Sequence, residues 1–257
     1  MKAIRILTAV LAAAVAAPAA AISIPDAKAS ANATVVANVA GTVIQVGGST
    51  NRRQFVIADN TGVGVVIDNS SSVLYTQPAV GDSVNIVSST KTTFNGIIQL
   101  QPPTVGDVQI ISNANLLPAP IVFNSLTSFL ATGSSTTGNS VRIKNVYVTG
   151  TIPANGGATT WLSGVTGGVN WTMTDDGTTQ VVVRVASDMN GVGTTYQTKT
   201  RPVLGDTNDK VDVVGTTSIF NGIPQILIAN PAGTTAKTDA TGPIRATSAR
   251  VREWDQY

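Results

Sequence analysis

Short runs rich in Val, Ile and Thr punctuate almost the whole chain, separated by clusters of Gly, Asn, Asp, Ser and Pro. The runs are ATVVANVAGTVIQV (33–46), RQFVIADN (53–60), GVGVVID (62–68), DSVNIVSST (82–90) and GIIQLQ (96–101), with a similar series in the second half. β-branched residues bounded by turn formers predict strands. A 3.6-residue apolar period is rare. It is clearest in NSLTSFLAT (124–132), where Asn124 or Ser125 caps a helix with Leu126, Phe129 and Leu130 on one face. A second short helical turn is expected between Ser70 and Ala79.

The pattern repeats. FVIADNTG (55–62), VGDSVNIV (80–87) and FNGIIQL (94–100) occur in one order in the first half. WTMTDDGT (171–178), LGDTNDKVDVVG (204–215) and FNGIPQIL (220–227) follow in that order in the second. Two long copies are too few for a solenoid and indicate a duplicated domain. Asn95-Gly96 and Asn221-Gly222 suit the two positive-φ positions of a type I′ turn, so each predicts a tight hairpin. Phe94 and Phe220, just before these turns, are expected to pack against the barrel end. Asp59-Asn60-Thr61-Gly62 and Asp175-Asp176-Gly177 turn an earlier hairpin. Long strand, hairpin, irregular connection, hairpin is the order of a five-stranded Greek-key barrel of the OB type. The expected fold is therefore all-β, with two tandem OB-like five-stranded Greek-key barrels and a C-terminal arm. The boundary falls near NANLLPAPIVF (113–123).

These landmarks resemble the OB-fold modules of secreted bacterial proteins, some of which sit beside extracellular nuclease domains. SVRIKNVYVTG (140–150) is similar to the opening strand of such modules. The resemblance spans roughly residues 34–230 and implies the fold; its motifs are turn and core positions, and no nuclease catalytic domain accompanies them.

The first residues, MKAIRILTAVLAAAVAAPAAA, have a basic start, an apolar middle and small residues at the end, the layout of a secretory signal peptide. Cleavage after Ala21 or after Ala29 fits, and a retained anchor is the alternative. The expected organisation is a leader at 1–29, barrels at 30–118 and 119–237, and an arm at 238–257, with no membrane span in the mature chain. The full chain holds 16 Lys and Arg against 14 Asp and Glu. Loss of 1–29 removes Lys2, Arg5, Lys28 and Asp26 and leaves the charges balanced. No basic excess remains to favour nucleic acid. The chain has no cysteine and no histidine. Disulfides, thiolate metal sites and the usual general base are thereby excluded.

Candidate chemistry is thin. Asp175-Asp176 read as turn residues. Asp206, Asn208, Asp209 and Asp212 offer clustered oxygen ligands, which suit calcium, though not at EF-hand spacing. No G-x-S-x-G elbow, S-x-x-K pair or phosphate loop is present. The expectation is a non-enzymatic protein with no cofactor. OB domains bind ligands on the face of strands 2 and 3 and its flanking loops. There the sequence places Arg52, Arg53, Tyr75 and Lys91 in the first copy, and Trp161, Arg184 and Tyr196 in the second; Trp171 takes the core place of Phe55. Asn32, Asn69 and Asn170 begin glycosylation triplets.

The long run at 33–46 exceeds what a short barrel needs. Val35, Val36 and Val39 are therefore candidates for pairing with a neighbour's strand edge, as are Ile244, Val251, Trp254 and Tyr257 at the other terminus. The leading expectation is a secreted structural subunit of an extracellular filament or surface assembly, with itself as partner. The alternative is an OB module for single-stranded nucleic acid or oligosaccharide.

Overall fold

The computed structural model describes residues 21–49, 52–69, 75–133, 136–163, 168–185, 201–228 and 244–246. It consists of two barrels with the same strand order. In the first, β1 (Val35–Ser49), β2 (Arg52–Ala58), β3 (Gly64–Asp68), β4 (Ser83–Phe94) and β5 (Ile97–Gln101) close in the order β1-β2-β3-β5-β4-β1. Only the β3–β5 pair is parallel. In the second, β8 (Ser140–Thr149), β9 (Val169–Thr174), β10 (Gln180–Val185), β11 (Val211–Phe220) and β12 (Ile223–Ile228) repeat the circuit, with β10–β12 parallel and β11–β8 closing it. This is the OB order in both copies, as the hairpin spacing predicts.

The copies agree beyond the barrels. A sixth strand lies against β4 in the first, β6 (Val108–Ser112), and against β11 in the second, β13 (Ile244–Ala246). Before each barrel a parallel pairing leads into a helix. Ile22 bridges Val39 and precedes α1 (Ile24–Ala29); β7 (Ile121–Phe123) pairs with β8 and precedes α2 (Leu126–Gly133). Ser125 Oγ accepts from Ser128 N–H at 3.2 Å, and Leu126 and Phe129 are buried, so the expected cap and apolar face are both present. The stretch 75–79 is not helical; the rest of the expected turn at 70–79 lies outside the described residues.

Local chemistry accounts for the turns. Asn95 and Gly96 have φ of 49° and 84°, and Asn221 and Gly222 have 51° and 78°, the type I′ signature. Asp59 Oδ1 accepts from the backbone N–H of Thr61 and Val63, closing the β2–β3 turn. Asp176 Oδ1 does the same for Thr178 and Thr179 in the second copy. These donors hold the Asp176 carboxyl down at about 2, below its ordinary 3.8.

Three expectations are corrected. The opening strand has no spare length: Val35–Thr42 pair with β4 and Thr42–Ser49 with β2. Gly41 sits at the changeover, where a Cβ would stand 3.0 Å from Ala58 O. Val36 and Val39 point into the core, and only Val35 is exposed. Ile244 pairs with Val213 of its own chain; Val251, Trp254 and Tyr257 lie outside the described residues. Phe94 and Phe220 are more than half exposed, because the hairpins run past the end of the core instead of folding over it. Apart from these, the helix at 24–29 packs on the first barrel, with Ile24 and Ala27 buried among Val36, Val39, Phe55 and Ile57, an arrangement that accommodates cleavage after Ala21.

Candidate functional site

On β2 and β3 of the first barrel, Phe55, Ile57, Val65 and Ile67 point inward. The alternate residues Val56, Ala58 and Val66 point outward, onto the OB ligand face. They are buried all the same, and with Ile44 and Ile97 they form a separate apolar cluster. The cover is the second barrel: Thr216, Thr217, Ser218 and Leu227 face Val56, Val66 and Ile97 across a narrow cleft. β3 is thus buried on both faces along its whole length.

Polar contacts lock this cover in place. Thr216 Oγ1 donates to Gln45 Oε1, and Ser140 N–H donates to Gly62 O at 2.8 Å. Ile98 N–H donates to Thr137 Oγ1 at 3.0 Å. Asn139 Oδ1 accepts from Gly64 N–H at 3.1 Å and from Lys28 Nζ at 2.8 Å. Lys28 Nζ also donates to Gly64 O and Thr137 O, both at 2.9 Å, so one ammonium on α1 ties the two barrels together. Burial presses its pKa from 10.5 to about 8, partly offset by the pull of Asp59. The sequence offered no sign of this, because Lys28 reads as part of the leader. Gly64 and Gly138 matter for the same reason: the backbones cross so closely that a Cβ on Gly64 would run into Gly138 O.

The corresponding face of the second barrel is open among the described residues. It carries Asn170, Thr172, Gln180, Val182 and Arg184, of which Asn170 and Gln180 are exposed. Arg184 Nη1 donates to Asn170 Oδ1 at 3.0 Å.

The other candidate ligand residues do not gather into one site. Tyr75 is core, edge-on to Phe55 at 5.6 Å with its hydroxyl on Arg53 O. Arg53 is half-buried beside it, and Lys91 is buried. Trp161 is core too: it meets Trp171 edge-on at 6.0 Å and its carbonyl accepts from Trp171 Nε1 at 3.0 Å. The Arg52 side chain and Tyr196 lie outside the described residues. Arg201, which no motif marks, is buried 5.0 Å over the Trp171 ring and donates to the carbonyls of Gly157, Ala158 and Pro202. It anchors the long β8–β9 connection.

The expected calcium set is divided among structural tasks. Asp206 Oδ1 accepts from Asn208 N–H, and Asp209 Oδ2 from Val203 N–H. Asp212 is buried in an ion pair with Arg142 and accepts from Asn145 N–H. Among the described residues, no three acidic, His or Cys side chains gather as a metal site. Of the glycosylation triplets, Asn32 and Asn170 are exposed. Asn69 is buried and its Oδ1 accepts from Arg53 N–H, which closes it to a glycan. No helix among the described residues is long and apolar enough to cross a membrane. The chain matches no family model and no curated protein sequence.

Proposed function

We propose that this is an exported, non-enzymatic structural subunit of an extracellular assembly. The observation that carries the reading is the sealed β2–β3 face of the first barrel. A tandem binder gains affinity by presenting both OB faces to one polymer. Here one face is spent on joining the barrels, and the two buried tryptophans cannot stack on bases or sugars. The product is a preassembled double barrel whose remaining apolar features sit on its outside.

Export supplies the setting. Cleavage after Ala21 leaves Ile22, the Ser23 cap and α1 intact, whereas cleavage after Ala29 deletes Ile24, Ala27 and Lys28 from the packed structure. The N-terminus of secreted material is therefore expected at Ile22. Sequencing that finds Ser30 contradicts this account of α1.

A binding role keeps one foothold, the open face around Asn170 and Arg184. Titration of labelled single strands and oligosaccharides at low salt separates the readings. The structural reading predicts no saturable binding. Micromolar binding that weakens with salt and on Arg184→Ala would favour the OB binding module instead.

A further inference from the structure

The two Asn-Gly hairpins end side by side: a Cβ on Gly96 of the first would touch Ile219 Cδ1 of the second at 3.3 Å. This shared tip exposes Phe94 at 56%, Phe220 at 58% and Ile223 at 58%. A type I′ turn requires Asn and Gly, not the Phe before it or the Ile after it. Both copies nevertheless have Phe-Asn-Gly-Ile, with the Phe exposed in each; Ile223 is exposed as well, whereas Ile97 packs against the apolar cluster between the barrels.

A second apolar patch lies at the other end of the first barrel. β6 pairs with Ser83–Ile86 at the start of β4, whereas Phe94 ends that strand. From Val84 to Phe94 the strand covers roughly 30 Å. Asn115 is held to the Gly81 carbonyl at the far end by its backbone N–H at 2.7 Å and its side-chain amide at 2.9 Å. Around it Ile111 is 63% exposed, Leu116 95% and Leu117 48%.

The stretches that carry the two patches hold no charged residue, and the carboxylate beside the second, Asp82, is buried against Asn113. No Asp, Glu, Lys or Arg occurs in 92–106, 213–236 or 108–141. The geometry points to a second copy of this chain as the occupant of each: the hairpin tip of one molecule docks on the Ile111–Leu117 surface of the next. The two surfaces differ and lie at opposite ends, so the contact is heterologous and leaves a free tip and a free patch at every step. Such a contact builds open-ended filaments unless its rotation closes a ring. This rests on the assembly reading above and replaces terminal-strand exchange as its means.

The cysteine-free chain gives a clean test. Phe94→Cys and Leu116→Cys are made in separate chains, both at exposed positions and checked for parental melting temperature. On oxidation, the mixture should form a disulfide-linked dimer far faster than either variant alone. In parallel, a tip variant (Phe94→Ser, Phe220→Ser) and a patch variant (Leu116→Asp, Leu117→Asp) should each stay monomeric, and their mixture should stop at dimers. If the parent assembles but these variants assemble equally well, the interface is elsewhere and the assembly reading survives. If the parent stays monomeric at every concentration, the assembly reading itself fails. Monomer that floats with phosphatidylcholine vesicles gives the tip to a lipid surface and overturns the proposal.

Discussion

Trp171 shows how the duplicated sequence was reused residue by residue. It takes the place Phe55 holds in the first barrel, and the larger ring meets partners the first copy lacks: Trp161 edge-on and the Arg201 guanidinium above it. Its position follows from the repeat alignment. The burial of Trp161 does not, because a loop tryptophan beside Gly and Thr reads as surface until the β8–β9 connection is seen folded under it. Trp171→Ala removes a fully buried ring and leaves the Trp161 carbonyl without its donor. It should cost about 3–5 kcal/mol in denaturant unfolding. A loss below about 1 kcal/mol would mean that the cluster does not hold the second barrel together.

At the level of the element, turns and caps were legible because their causes are local. Asn-Gly needs only two backbone conformations, and Ser125 needs only the helix three residues ahead. The fate of β1 was not legible. Its fifteen residues serve two partners in succession, β4 and then β2, and nothing within 35–49 names a partner as remote in sequence as β4. The hairpin glycines allow a paired prediction. Gly222 and Gly96 share the left-handed conformation, but a Cβ on Gly222 meets nothing within 4 Å whereas one on Gly96 meets Ile219. Gly222→Ala should cost about 1–2 kcal/mol from backbone strain alone. Gly96→Ala should cost at least as much, since Ile219 must also give way. Melting curves of the two variants decide this, and a lower cost at Gly96 would contradict the contact between the hairpins.

For the whole molecule, the main event is the burial of the first barrel's β2–β3 face by the second barrel. The sequence showed two modules but not how they dock. The docking residues Val56, Ala58 and Val66 look like ordinary strand residues, and Lys28 looks like leader. Lys28 makes the junction sensitive to pH. Its pKa is depressed to about 8 in the fold and returns to 10.5 in the unfolded chain. Between those values the unfolded chain holds a proton that the folded chain has shed, so this group adds stability as the pH rises through that window. The parent should gain unfolding free energy from pH 7.5 to 9.5, and Lys28→Met should lose most of that gain. Equal pH profiles would mean that Lys28 is not buried at the junction.

End-to-end self-association is tested most directly by the mass of the purified mature protein, measured by light scattering as a function of concentration. Apolar end-to-end docking predicts a weight-average mass that climbs steadily with concentration, persists in high salt and rises further with sulfate. A single monomer mass across the whole range would contradict it.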